Sequence, residues 1–159
     1  MKKIFYFAAL GLSMVAMAAC SGNKCSKDGG CVERPDEVYS GLLPAADCEG
    51  IRYTLKVDYE DDKNNMAGDY DLTEIYIMAD STSATGVKDG PSYKSEGDFT
   101  VVEKDGKKYL KLVKDAKDSN PGAASDLNFL VSSDSTLTMV NADLEEPATP
   151  LLYTLKIVK

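Results

Sequence analysis

A nine-residue stretch in the first half of the chain alternates strictly between apolar and polar side chains. In residues 51–59 every odd-numbered residue is apolar, and each residue between two of them is polar or charged. Successive side chains of a β-strand point to opposite faces, so this period of two predicts a strand with one buried and one solvated face. The stretch therefore predicts a sheet that packs one face against a core.

Further short apolar stretches follow at regular intervals and are separated by turn signals. No stretch has helical periodicity, and short strands at regular spacing are typical of all-β sandwiches and barrels. An up-and-down meander that closes on itself leaves no free edge. We therefore predict an all-β fold, a small antiparallel up-and-down barrel of about eight strands. The remaining strands are expected at residues 37–41, 70–78, 99–103, 108–113, 127–131, 137–139 and 151–158.

Two local features refine this prediction. Asp105-Gly106 indicates a type I′ hairpin, because both central residues of that turn need a positive φ. In residues 70–78, Leu72 and Ile75 are out of phase, which predicts a β-bulge near Thr73 or Glu74. Residues 80–95 and 114–125 are rich in Ser, Gly, Asp and Lys, and we expect them to form long loops.

The N-terminus has the composition of a processing signal. Lys2 and Lys3 precede an apolar run over residues 4–16, and small residues lead directly to Cys20. This ending resembles a bacterial lipobox, which implies cleavage after residue 19 and lipid attachment to Cys20. The alternative is an ordinary secretory signal, cut at the same place, with Cys20 unmodified. We assign residues 1–19 to a lipoprotein signal peptide and residues 20–36 to a lipidated, flexible tether.

Charge and composition exclude several classes of function. Removal of residues 1–19 takes away two lysines and no acidic residue, so the net charge changes from −8 to −10. Such a charge argues against nucleic acid and against anionic lipid as electrostatic partners. The chain has no histidine, the usual general base and the usual imidazole ligand. We therefore expect a protein that is not an enzyme.

The segment before the alternating strand carries a distinctive loop. Residues 38–57, "VYSGLLPAADCEGIRYTLKV", resemble the start of the N-terminal domain of the NlpE copper-resistance lipoprotein family. Later segments, "EGDFTVVEKDGKKYLKL" and "LLYTLK", are similar in order and spacing, so the resemblance covers roughly residues 37–158. The loop residues that carry it are Tyr39, Gly41, Leu43, Pro44, Ala46, Asp47, Cys48, Gly50 and Ile51.

The resemblance implies a lipocalin-like barrel over residues 37–159, held at the membrane by its lipid anchor. It implies a role in envelope stress, surface sensing or copper tolerance, and an envelope protein as partner. Ser21 after the lipidated cysteine implies the outer membrane, without fixing the periplasmic or the cell-surface face. The alternative function is a lipocalin-like binding module for a small apolar ligand, or a lipoprotein that inhibits an enzyme through its loops.

The chain departs from the family pattern at Ala45, where the first cysteine of the Cys-x-x-Cys loop is replaced. The loop alone therefore cannot form a two-thiolate Cu(I) site or a disulfide. Three thiols remain beyond Cys20, and an odd number cannot all pair. Cys25 with Cys31, or Cys31 with Cys48, would form a disulfide in an oxidising envelope. A soft Cu(I) site from these thiols, with a methionine such as Met66, stays open. We expect no other cofactor.

Overall fold

The computed structural model describes residues 36–60, 66–115 and 126–158. The chain divides into two units, Met1–Val32 and Glu33–Lys159, and the described residues all belong to the second. The predicted signal peptide and nearly all of the predicted tether, with Cys20, Cys25 and Cys31, lie outside the described residues. Within the described ranges, no helix has the length and apolar character needed to cross a bilayer.

Eight strands form one closed antiparallel barrel, in which each strand pairs with the next and the last pairs with the first. The predicted all-β, eight-stranded up-and-down barrel is thus confirmed. A short 3₁₀ helix, Pro150–Tyr153, precedes the last strand. The strands are β1 Glu37–Leu43, β2 Gly50–Tyr59, β3 Ala67–Ala79, β4 Val87–Lys104, β5 Lys107–Lys114, β6 Leu127–Ser133, β7 Thr136–Val140 and β8 Thr154–Ile157.

The barrel interior is filled by one face of every strand. In β2, Tyr53, Leu55 and Val57 are buried, whereas Arg52 and Asp58 are exposed. The alternation read from the sequence therefore gives the inward and outward faces of this strand. The main core consists of Tyr39, Leu43, Tyr53, Leu55, Val57, Tyr70, Leu72, Phe99, Val101, Leu110, Leu112, Phe129, Leu137 and Leu155.

The connections alternate between the two ends of the barrel because all neighbouring strands are antiparallel. The turn at Asp105-Gly106 lies at one end, which we call the hairpin end. There Asp105 and Gly106 have φ of 54° and 75°, as a type I′ turn requires. Cys48 lies in the connection from β1 to β2 at the other end, the Cys48 end. The β3–β4 and β7–β8 connections share that end.

Two strands differ from the sequence-based prediction. Residues 87–95 were expected in a loop, but β4 begins at Val87 and pairs with β3 along this stretch. Its polar residues are compatible with a strand because this part of β4 has no pairing to β5, whose register with β4 begins at Gly97. The last strand was expected to begin at residue 151, but the 3₁₀ helix occupies 150–153, with the Thr154 hydroxyl donating to Pro150 O at 2.9 Å.

A bulge was predicted near Thr73 or Glu74, and the structure has one just beyond these residues. Pairing between β3 and β4 is regular up to Ile75, and the register shifts only between Ile75 and Ile77. Glu74 breaks the apolar pattern for another reason, because its side chain is buried at 2 % exposure in phase with Tyr70 and Leu72. The irregular pattern in the sequence therefore marks a buried carboxylate, with the bulge lying beyond it. Of the predicted loop 114–125, residue 114 ends β5 and residues 116–125 lie outside the described part.

The contact between β1 and β8 closes the barrel and is short. Its register joins Tyr39 to Ile157 and Ser40 to Lys156, and Val158 N–H donates to Val38 O at 2.7 Å just beyond. Gly41 is the next inward residue of β1. A Cβ on Gly41 would lie 2.7 Å from the Thr154 carbonyl oxygen, so only glycine lets the two backbones approach this closely.

A second, smaller core lies on the outside of the barrel. Tyr109, Leu130 and Val140 are buried there, and Leu144 packs against them from the β7–β8 connection. We call residues 141–146 the strap. Its turn is held by Asn141, whose side-chain oxygen accepts the N–H groups of residues 143 and 145 at 3.0 and 2.9 Å. An ion pair of 2.6 Å between Lys107 and Glu146 ties the strap to β5. The strap thus covers apolar surface that would otherwise face water.

Phe99 is the core residue whose truncation should damage the barrel most directly. It is 1 % exposed and packs edge to face with Tyr59, with ring centroids 5.1 Å apart. We expect Phe99→Ala to lower the free energy of unfolding by about 3–5 kcal/mol, because it removes buried surface and leaves a cavity. Urea denaturation measures this. Val113→Ala on the outer face, where Val113 is 52 % exposed, is the control and should change stability by less than about 0.5 kcal/mol. Equal effects of the two variants would contradict the assigned faces.

Candidate functional site

The Cys48 loop, residues 44–49, joins β1 to β2. Cys48 is half-buried and forms no disulfide with another described residue, and its thiol donates to Gly50 O at 3.2 Å. The N–H of Glu49 donates to Ile77 O at 2.9 Å, which fixes the loop to the end of β3. Gly50 has φ of 150°, and a Cβ there would lie 3.0 Å from Leu43 O. The loop residues therefore build a defined turn that starts the alternating strand.

The predicted loop residues divide into two groups. Gly41 and Leu43 point into the barrel, and Leu43 is 2 % exposed. Pro44 and Asp47 are exposed on the loop, and Ala45 is half-buried. The first group belongs to the closure and the core, and the second group is the part of the motif that a partner or ligand can reach.

The predicted Cu(I) site cannot include both Met66 and Cys48. Met66 lies at the hairpin end, where its carbonyl accepts the N–H of Val101 at 2.7 Å, while Cys48 lies beside Gly50 and Ile77. About ten residues of extended strand separate the two levels, roughly 30 Å. Among residues 36–60, 66–115 and 126–158, no group of three cysteine or carboxylate side chains is placed to hold a metal ion. Whether Cys25 or Cys31 pairs with Cys48 stays a prediction, since both lie outside those ranges.

A buried carboxylate lies inside the barrel near the Cys48 end. Glu74 on β3 is 2 % exposed, and its register neighbours are Tyr53 on β2 and Tyr93 on β4. Ser95, the next inward residue of β4, is also buried at 5 % exposure. The inward face of three adjacent strands therefore changes from apolar to polar at this level.

Tyrosine hydroxyls and rings surround this carboxylate. Tyr53 donates its phenol hydrogen to Glu74, and burial, followed by the Glu74 charge and this hydrogen bond, raises the pKa of Tyr53 well above its ordinary value. The rings of Tyr76 and Tyr93 meet edge to face, with centroids 5.5 Å apart. Burial also raises the pKa of Tyr76, and the charges of Glu74 and Asp47 contribute. Tyr76 therefore lies between the inner carboxylate and the Cys48 loop.

Sequence reasoning missed Glu74, although a signal was present. A lone acidic residue stands at an inward position between Leu72 and Tyr76 in an otherwise apolar series. Buried carboxylates are rare unless they are paired, so the bulge was the simpler interpretation. The tyrosines on both neighbouring strands, which supply the hydrogen bond and the aromatic walls, become neighbours of Glu74 only through the register.

The geometry of the loop and barrel agrees with a comparison to known families. Residues 39–149 match the family described as the NlpE N-terminal domain, which is well over half of the chain. The chain belongs to the NlpE N-terminal domain family. No curated protein and no solved structure gives a significant match to the chain. The matched residues include the Cys48 loop, Glu74 and the strap of this NlpE domain. The match ends before the 3₁₀ helix and β8.

The hydrogen bond from Tyr53 to Glu74 should stabilise the NlpE domain measurably. We expect Tyr53→Phe to lower the free energy of unfolding at pH 7 by about 1–3 kcal/mol, because it removes a donor from a buried carboxylate. Urea denaturation measures the difference. Tyr153→Phe is the control, since the half-buried Tyr153 has no hydrogen bond through its hydroxyl within the described residues.

The same variant gives a pH dependence of known sign. The folded-state pKa of Tyr53 is raised, so its contribution to stability is complete below the unfolded-state pKa of about 10. It is lost as the pH rises through the folded-state pKa, because the unfolded chain ionises first. The stability gap between wild type and Tyr53→Phe should therefore narrow above about pH 10. A gap that widens in this range would contradict the assignment.

Proposed function

We propose that this NlpE domain is the functional domain of a non-catalytic envelope lipoprotein. It senses the state of the envelope and acts by binding other proteins. The observation that carries the proposal is the family match over residues 39–149, which spans the exposed part of the Cys48 loop. The lipobox ending at Cys20 supports attachment to the outer membrane by lipid. The absence of histidine from the whole chain supports a role without catalysis.

The loop geometry favours contact over copper binding as the main role. Cys48 directs its thiol at Gly50 O, and Pro44 and Asp47 stand exposed beside it. A Cu(I) site at this loop would need Cys25 or Cys31 to supply a second thiolate, because Ala45 cannot. We therefore assign envelope stress or surface sensing as the function, with copper tolerance dependent on the tether thiols.

The filled interior argues against the alternative function, a carrier for an apolar ligand. Phe99 and Phe129 are 1 % and 0 % exposed, and buried leucines from six strands complete the same core. A barrel of eight strands is just wide enough for side chains to fill it, so apolar side chains already occupy this part of the interior.

A deletion strain of the source bacterium tests the proposal. The strain is complemented with wild type, Cys20→Ala or Cys48→Ala, and an envelope stress reporter and growth on copper are followed. Cys20→Ala should move the protein out of the membrane fraction, since it removes the acyl chains, and should abolish reporter activation. Cys48→Ala should leave copper tolerance at the wild-type level.

Two outcomes would contradict the proposal. If the deletion strain has an unchanged stress response and unchanged copper tolerance, the protein does not have the proposed role. Loss of copper tolerance in Cys48→Ala, with normal membrane retention, would show instead that the thiol is a copper ligand. Incorporation of labelled palmitate into wild type but not into Cys20→Ala controls for the anchor itself.

A further inference from the structure

Exposed apolar side chains concentrate where the first and last strands meet. We call β1 together with residues 150–158 the seam. Among the described residues, eight large apolar side chains are exposed, and five of these lie on the seam. Exposed apolar surface that collects on one side of a protein marks a contact with another protein or with a membrane. The five side chains are Leu42, Leu151, Leu152, Ile157 and Val158.

The pairing of β1 with β8 arranges the seam as a strip along the outside of the barrel. At the hairpin end, the Val158 N–H donates to Val38 O at 2.7 Å, which joins Val158 to the start of β1. At the Cys48 end, the 3₁₀ helix contacts β1, and Gly41 lies against the Thr154 carbonyl oxygen. Leu42 therefore lies beside this helix. Both ends of β8 thus carry exposed apolar side chains next to β1.

The acidic residues that give the chain its net charge lie away from the seam. Residues 147–158 contain one charged residue, the exposed Lys156, and the outward positions 38, 40 and 42 of β1 hold no acidic residue. Across the barrel, the outer faces of β3 and β4 carry exposed carboxylates. The seam is therefore the side on which charge opposes contact with a bilayer least. The four carboxylates on β3 and β4 are Asp69, Asp71, Glu96 and Asp98.

The predicted lipid anchor joins the barrel at the seam. The assigned tether begins at Cys20, and the chain enters β1, one of the two seam strands, at Glu37. Even when fully extended, the residues from 20 to 37 span at most about 60 Å, so lipidation holds β1 close to the bilayer. At the high effective concentration that such a link creates, a contact by a few apolar side chains is enough to orient the barrel.

We propose that the seam lies against the bilayer that holds the acyl chains of Cys20, with Leu42, Leu151, Leu152 and Val158 in the interfacial region of the lipid. This inference rests on the lipid anchor in the proposed function. The contact uses apolar side chains and needs no attraction to anionic lipid. It leaves the acidic outer faces of β3 and β4 directed away from the membrane.

Tryptophan reporters test the orientation, because the chain has no tryptophan of its own. Leu151→Trp and Val158→Trp place a reporter at each end of the seam. Val113→Trp is the matched control, since Val113 is 52 % exposed on β5, across the barrel from the seam. Each full-length, lipidated variant is reconstituted into phosphatidylcholine vesicles with plain or dibrominated acyl chains, and brominated chains quench tryptophan that touches them. Circular dichroism confirms folding, and Leu42→Trp replaces a seam variant that does not fold.

We expect both seam reporters to be quenched severalfold more strongly than Val113→Trp, because apolar side chains at the seam enter the interfacial region. Their emission should also shift to shorter wavelength. Equal quenching of the seam and control reporters, or quenching of neither, would overturn the proposal. Quenching of Leu151→Trp without Val158→Trp would mean that the barrel stands on its Cys48 end, which also overturns it.

Two further readouts separate the possible causes of failure. Flotation of the wild-type protein with the vesicles measures the anchor by itself. Protein that does not float would contradict both the anchor and the seam contact, whereas protein that floats without quenching at the seam would overturn the seam contact alone. A shorter emission wavelength at the seam without quenching by lipid would show that protein, from a second copy or a partner, covers the seam instead of the bilayer.

Discussion

The barrel depends on a short pairing between its first and last strands. Two register pairs, Tyr39 with Ile157 and Ser40 with Lys156, close a meander in which the β7–β8 ladder has three pairs and the β2–β3 ladder has ten. Closure removes the edges of β1 and β8, and it brings Leu155 under Gly41 into the common core. On the outer face a series of hydroxyls, Ser132 to Thr138 at 2.8 Å and Thr138 to Thr154 at 3.1 Å, holds β6, β7 and β8 in the same arrangement.

The interior of the closed barrel is apolar near the hairpin end and polar towards the Cys48 end. Phe99 on β4 pairs with Gly68 near the hairpin end, where the neighbouring inward residues are apolar. Towards the Cys48 end the same strands turn Glu74 and Ser95 inward, both buried. A buried carboxylate costs free energy unless hydrogen bonds compensate it, and the Tyr53 phenol supplies one. The family's loop therefore lies at the polar end of the barrel.

The sequence predicted those parts of the structure that follow from local patterns. The strict alternation in β2 predicted which face of that strand is buried. The Asp105-Gly106 pair predicted the hairpin between β4 and β5. Both predictions succeeded because these signals act over a few residues. The prediction failed where distant strands decide the outcome. Residues 87–95 are polar, yet pairing with β3 makes them a strand. The buried position of Glu74 is stabilised by Tyr53, which only the register between β2 and β3 brings opposite it. Met66 was linked to Cys48 by its chemistry, whereas the topology puts the two at opposite ends. The motif of the Cys48 loop could be recognised in the sequence because its glycines and its proline determine the conformation of a single turn.

The contact between β1 and β8 is the most direct test of this account, since every assignment of inward and outward faces assumes a closed barrel. Nuclear Overhauser effects between backbone protons of the two strands measure it in solution. We expect cross-peaks between the Ser40 and Lys156 backbones, together with slow hydrogen exchange of the Val158 amide, which donates to Val38 O. Absence of these cross-peaks in a folded sample, with fast exchange at Val158, would mean an open sheet and would contradict the account.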